Sequence, residues 1–529
     1  MNGHIKRLFE IIEKYEFPDY LLARPGEEVV EIEEPTSRAA KYYEKVRQAV
    51  EYKDESLIKR SLVERTIKRK TAFGAKLENI ADEIVFNLIQ AGYIQNEVLS
   101  KNAVKKVHAS LEKMSFLSSV VKEKDPTLKN VIYESKIIGI ASCEIEDILF
   151  PKNQKRLVAD TFYNVIKDRV DIASYDISQH ELDIQIYLAC HKGLLKSDET
   201  RLFYQLLLVH YPEWAAFDIE NDGNNIEEIG NNFFHIKEAF GAHINHSIQP
   251  KILAKLKNDI VYFTAIMGLL EKHGRESRVM FENSETLSSE VKSFLEEKYS
   301  QRSASINKMA IRAIFYIFAT KIILAFAIEM PYDIFFEDGV NYLPLSVNVL
   351  FHPILLFLIT RSIYVGDARN TNLVIGGISN LFYGEHKPIR FKIRGNNTIV
   401  FYVASLAYAL VFLSLFASII FLLTSMQFNF VGVILFILFI SLVSFLGIRI
   451  RMMAKMWVVQ SKEKGIISFL RNLLTLPIIS FGMWLSRKFS SINIFVFVMD
   501  FIIETPFKAL LKIVDSFVSY VREKKEEIY

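Results

Sequence analysis

Residues 309–330 read MAIRAIFYIFATKIILAFAIEM, and residues 343–364 read LPLSVNVLFHPILLFLITRSIY. At about 1.5 Å of rise per helical residue, each stretch is just long enough to cross a hydrocarbon layer roughly 30 Å thick. The loop between them carries Asp333, Glu337 and Asp338, with Glu329 at the end of the first stretch and no Lys or Arg. Basic residues stand at the opposite ends instead: Arg302, Lys308 and Arg312 before the first stretch, Arg361 and Arg369 at the end of the second. By the positive-inside rule this hairpin points outward and both of its ends are cytoplasmic.

The same reasoning extends down the chain. Spans over Ile399–Leu423 and Phe430–Ile448 contain no charged side chain, and only TSMQFN separates them, which allows a tight turn. Arg449, Arg451, Lys455, Lys462 and Lys464 then return the chain to the cytoplasm. Four spans with cytoplasmic termini follow, in a multi-pass protein of the cell (inner) membrane. The N-terminal MNGHIKRLFEIIEKYEF lacks the uninterrupted apolar run of a signal peptide.

Before residue 300 the pattern changes. Apolar residues recur at helical spacing, as in Leu77, Ile80, Ile84, Val85 and Leu88, or Leu182, Ile186, Ala189 and Leu194. Ser197 precedes Asp198 and Glu199, an N-cap with first-turn acids. The predicted fold is therefore all-α. A cytosolic helical domain occupies residues 1–300, a polar linker 301–308, and the four-span domain 309–448. A cytosolic loop at 365–397, rich in turns around Gly376, Gly377 and Gly384, interrupts that domain. Residues 449–529 are expected to form amphipathic helices at the cytoplasmic face, because Asp500, Glu504, Lys508, Lys512 and Asp515 recur every three or four residues opposite Phe497, Phe501 and Leu511. A fifth and sixth span is the alternative there.

A net charge of +3 over 529 residues gives no overall bias toward nucleic acid. Only Cys143 and Cys190 occur, far apart, so neither a disulfide framework nor a zinc-type CxxC pair is expected. No phosphate-cradling GxxxxGK, dinucleotide glycine fingerprint, HExxH or GxSxG is present, and no enzymatic activity or cofactor is expected.

Five features are candidates for function. Lys59, Arg60, Arg65, Lys68, Arg69 and Lys70 form a basic helical stretch able to meet anionic lipid or a protein partner; it lacks the interleaved aromatics of a nucleic-acid groove. Arg449, Arg451 and Lys455 offer a second such contact. Asp218, Glu220, Asp222, Gly223 and Asn224 follow the start of an EF-hand calcium loop, but Ile229 stands where the bidentate Glu belongs, which favours a polar turn. His235, His243 and His246 share a helical face, although about 12 Å of rise separates the first two, too far for one metal. Finally, Lys321 and His352 are ionisable groups inside the spans, where eviction from water is costly.

Two readings follow. In the first, the spans anchor a cytosolic helical domain that scaffolds or regulates an assembly, with the lipid bilayer and a protein partner as contacts and self-association open. In the second, the spans form a transporter or channel around Lys321 and His352. Against it, no carboxylate stands at their depth, since Glu329 lies two turns further out than Lys321.

Overall fold

The computed structural model describes residues 3–14, 20–23, 28–30, 55–72, 77–124, 131–151, 153–171, 177–274, 277–337, 339–384, 389–390, 398–459 and 476–485. Nearly all of these are helical. Extended pairing among them is confined to β1 (Val170–Asp171) beside β2 (Ile389–Arg390), parallel, and to single bridges at Leu22–Leu99 and Val29–Ser100. The described residues divide into two compact units. One draws on Lys6–Lys167 and Ile177–Lys255; the other is built mainly on Leu256–Ile494. The division thus falls at Leu256 and not at residue 300.

The first unit contains α1 (Glu55–Ala72), α2 (Leu77–Gln90), α3 (Lys101–Lys124), α4 (Val131–Leu149), α5 (Asn153–Lys167), α6 (Gln179–Leu195), α7 (Glu199–His210), α8 (Ile219–Asn231) and α9 (Phe233–Ile244). The helical spacing read from the sequence is the buried face: Ile80, Ile84, Val85 and Leu88 of α2 enter one core with Val107, Leu111, Leu188, Phe203 and Trp214. The cap of α7 is Asp198 rather than Ser197, its side chain accepting the Arg201 N–H.

Two expectations are corrected in this unit. The acidic stretch from Asp218 to Asn224 is neither a calcium loop nor a polar turn. Asp218 caps α8 and Glu220, Asp222 and Gly223 lie within it, so the oxygen donors string along a helix instead of converging on an ion. The three histidines do not share one helical face, because His235 and His243 lie in α9 and His246 falls beyond its end; His243 Nδ1 is 2.7 Å from Glu181 Oε2, and His246 Nδ1 accepts the Ile248 N–H at 3.3 Å.

The second unit contains α10 (Lys257–His273) and a helix run of 53 residues, α11 (Ser284–Leu324), a π turn over Ala325–Glu329 and α12 (Met330–Phe336). It continues with α13 (Tyr342–Arg361), α14 (Ala368–Tyr383), α15 (Thr398–Ser425), α16 (Phe430–Ala454) and α17 (Leu476–Leu485). Four of these helices, the α11–α12 run, α13, α15 and α16, are long and apolar enough to cross a membrane. Their surfaces are inverted relative to a water-soluble bundle: Phe315, Ile323, Phe326, Leu410 and Phe421 face outward, while Lys321, Glu329, Asn348 and His352 face inward. An apolar surface of that extent is covered by lipid or protein, not left in water.

Three further corrections arise here. Residues 301–308 are not a linker but interior turns of α11. The 365–397 segment is not turn-rich throughout, because Asp367 caps α14 and both Gly376 and Gly377 lie inside it. Gly377 is there for close packing: a Cβ on it would fall 2.1 Å from Cζ of Tyr262 on α10. Lastly, α17 does not sit at the basic ends of the long helices. Its Gly482 touches the backbone of Ser441 midway along α16, Ser480 Oγ accepts a hydrogen bond from Tyr408 at 3.1 Å, and Phe481 meets Phe416 of α15. The amphipathic pattern read from Asn493 onward lies outside the described residues.

Candidate functional site

The polar side chains of the second unit gather where its two short loops meet. The cause begins at Pro331, which has no N–H to give the carbonyl four residues back, so the ladder opens before it. Met330 N–H instead reaches the Ala325 carbonyl, closing the π turn. The consequence is rotational. An unbroken α-helix would turn Glu329 roughly 80° away from Lys321. The wider π turn takes back about that much and returns both to the face against α13.

Asn348 of α13 lies between them. Lys321 Nζ donates to Asn348 Oδ1 at 2.6 Å, and Asn348 Nδ2 donates to Glu329 Oε1 at 2.7 Å. All three are buried, Lys321 and Asn348 completely. The ammonium also stands 4.2 Å above the Phe439 ring of α16, a cation–π contact that suits a site without water. One turn further along α13, His352 Nδ1 is 3.0 Å from the Asn348 carbonyl and its Nε2 3.1 Å from the Phe436 carbonyl. A neutral imidazole has one N–H and donates to one of those two carbonyls, according to its tautomer. Lys321 and His352 therefore belong to one buried neighbourhood, joined through Asn348.

A carboxylate nevertheless belongs to this neighbourhood, although it stands two turns further out than Lys321. Glu329 reaches Lys321 through an amide. Asp333, one turn further out and also buried, accepts from Asn429 Nδ2, whose Oδ1 in turn caps α16 by accepting the Gly432 N–H. Asn341 Nδ2 donates to Gln427 Oε1 at 3.3 Å, tying the two loops together. Between them opens a cavity of about 490 Å³ lined by Glu329, Asp333, Glu337, Asn341, Gln427 and Asn429 with a few apolar groups. No Lys or Arg lines it.

Comparison with family models, curated proteins and solved structures returns no match. The functional reading therefore rests on this geometry.

The basic candidates are placed differently. Arg60 is buried and paired with Asp198, Lys68 pairs with Glu64, and Arg69 and Lys70 share Glu83. Lys59 lies 4.5 Å over the Phe150 ring, and Arg65 buries Nε and Nη2. The stretch is thus largely committed within its own unit, not arrayed as one open basic face. Around it, burial pushes the Asp198 carboxyl up, but the Arg60 hydrogen bond and charge outweigh that and hold it below the usual range. Burial pushes the Cys143 thiol up to about 11. Arg449 and Lys455 are exposed at the end of α16 away from the cavity, and Arg451 donates to Ser362 Oγ at 3.3 Å.

Sequence reading missed Asn348 and the pairing of Asp333 with Asn429. A signal existed for the first, since Asn348 stands four residues before His352 in an otherwise apolar stretch. Pro331, two residues after Glu329, was the mark of the broken ladder.

Proposed function

We propose that this chain is a multi-pass membrane protein whose membrane-length helices admit a cation from the loop end to the Lys321–Asn348–Glu329 chain, as a transporter or channel does. The observation that carries the reading is the buried chain itself, opening onto a cavity lined by three acids and no base. Ionisable groups in a lipid-facing bundle cost free energy, and burying both Lys321 and Glu329 without a task is expensive. The acids gather at one end of the bundle while Arg361, Arg449 and Lys455 lie toward the other, which supports a cytoplasmic basic end and, by the same rule, cytoplasmic termini in the inner membrane. The separate helical unit then serves in the cytosol as a docking domain for a protein partner.

The test is cation movement by the full-length protein in sealed liposomes under an imposed potential, with protons, Na⁺ and K⁺ as probes. Movement above that of empty liposomes, lost in Lys321→Leu, is expected. No movement in the wild type, or equal movement in Lys321→Leu, overturns the reading. Pull-down from solubilised membranes with the full chain tests the docking role, and retention of no specific partner counts against it.

A further inference from the structure

We propose that the ion exchanged at this site is a proton, and that the Glu329 carboxylate is the group that accepts it from the cavity. The inference rests on the permeation reading above and names its ion.

Three observations converge. First, the cavity stops at Glu329. Glu329 lines it, whereas Asn348 and Lys321, the next groups inward, do not and are completely buried. Beyond Glu329 the next groups inward are completely buried and hydrogen-bonded to one another. A proton taken up at the carboxylate needs no oxygen shell around it. Second, no three His, Cys, Asp or Glu side chains among the described residues converge as a metal site, so Glu329, Asp333 and Glu337 are spread along the helix and not gathered round one ion. Third, the buried charges do not balance. With the His352 imidazole neutral, Lys321 is one ammonium against the two carboxylates Glu329 and Asp333, and both acids have amides, Asn348 and Asn429, as their hydrogen-bond partners. An amide satisfies a lone pair without neutralising a charge. One proton removes the excess.

The groups facing Glu329 are Lys321 and Asp333 from its own helix run and Asn348 from α13; Glu337 and Asn429 share the cavity wall with it, and His352 stands one turn beyond Asn348 on α13. α15 contributes no Asp, Glu, Lys, Arg or His. In the step itself, a hydronium in the cavity gives its proton to a Glu329 carboxylate oxygen and leaves as water. The carboxylate becomes a carboxylic acid, and Lys321 then balances Asp333 alone. Release is the reverse.

The test uses the full-length protein in lipid nanodiscs, stepped in pH and followed by infrared difference spectroscopy. The wild type minus Glu329→Gln spectrum should contain one titrating carboxylic acid C=O band, restored in Glu329→Asp. Wild type against itself across the pH step requires no variant to fold. Proton uptake into liposomes, read by a trapped pH dye, separates the two claims. A Glu329-dependent band without proton movement supports this proton site and defeats the permeation reading. Proton movement with identical bands in wild type and Glu329→Gln overturns the assignment of Glu329 and leaves permeation standing. A wild type with no titrating carboxyl band also overturns it.

Discussion

The two units bury charge in opposite ways. In the helical unit opposite charges touch: Lys113 Nζ is 2.8 Å from Glu144 Oε1, Trp214 Nε1 donates to Glu144 Oε2 at 2.9 Å, and Arg201 holds Glu146 and Asp147 together. In the membrane-length unit an amide stands between the ions, Asn348 separating Lys321 from Glu329, and Asn429 meeting Asp333. Direct contact exhausts the charge and leaves nothing to bind. Interposed amides satisfy the hydrogen bonds while leaving carboxylate charge available to a cavity. The first arrangement specifies a core, and the second keeps a site.

That contrast can be broken most severely at Lys113. Lys113→Met leaves Glu144 as a buried carboxylate without its cation, in a place where burial already pushes its pKa up, and should cost about 3–5 kcal/mol. Loss of the near-native hydrogen-exchange protection of Lys101–Lys124 and Val131–Leu149 is the expected readout; unchanged protection would mean the pair is idle. Asn348→Leu removes two hydrogen bonds to charged groups and should destabilise the membrane-length unit by about 2–3 kcal/mol, seen as a lower Tm in detergent. If the Tm is unmoved, the amide is not the tie between Lys321 and Glu329.

A pH experiment sharpens the helical side of the contrast. Burial holds the His191 imidazole below its ordinary range, although Asp160 at 3.1 Å pulls the other way. The unfolded chain then binds a proton that the folded chain refuses. This contribution is complete above the unfolded value near pH ~6.5 and is lost as pH falls below it, at up to about 1.4 kcal/mol per pH unit. Exchange protection of Gln179–Leu195 should fall between neutral and mildly acidic pH, and the slope should flatten in His191→Gln. The smallest effect belongs to the surface: Lys68→Ala, breaking an exposed i,i+4 pair with Glu64, should cost no more than about 0.5 kcal/mol.

Periodicity made the helices legible because burial selects every third or fourth residue, as at Ile80, Ile84 and Leu88. The four membrane-length helices were legible because length and apolarity are local properties. What stayed hidden was relational. The alternate oxygens around Asp222 match a calcium loop in one dimension, but Asp218 as a cap turns the same residues into a helix. Gly376 and Gly377 look like turn formers, yet both lie inside α14, and at Gly377 Tyr262 of α10, over a hundred residues earlier in the chain, needs the space. Lys321 and Glu329 are two turns apart along the helix, but the π turn before Pro331 brings them to one face and Asn348 spans the distance between them. Composition marked the expensive residues; the fold supplied the amide that joins them.

The account turns on where water stops. Single cysteines at Glu329, Glu337 and Asn348 in the full chain, whose own Cys143 and Cys190 are buried, can be exposed to a membrane-impermeant maleimide on sealed vesicles with the loop end outward. The structure predicts labelling at Glu337→Cys and Glu329→Cys, and none at Asn348→Cys until the protein is unfolded. An unreactive Glu329→Cys, or an Asn348→Cys that labels as fast, would contradict a cavity that ends at Glu329.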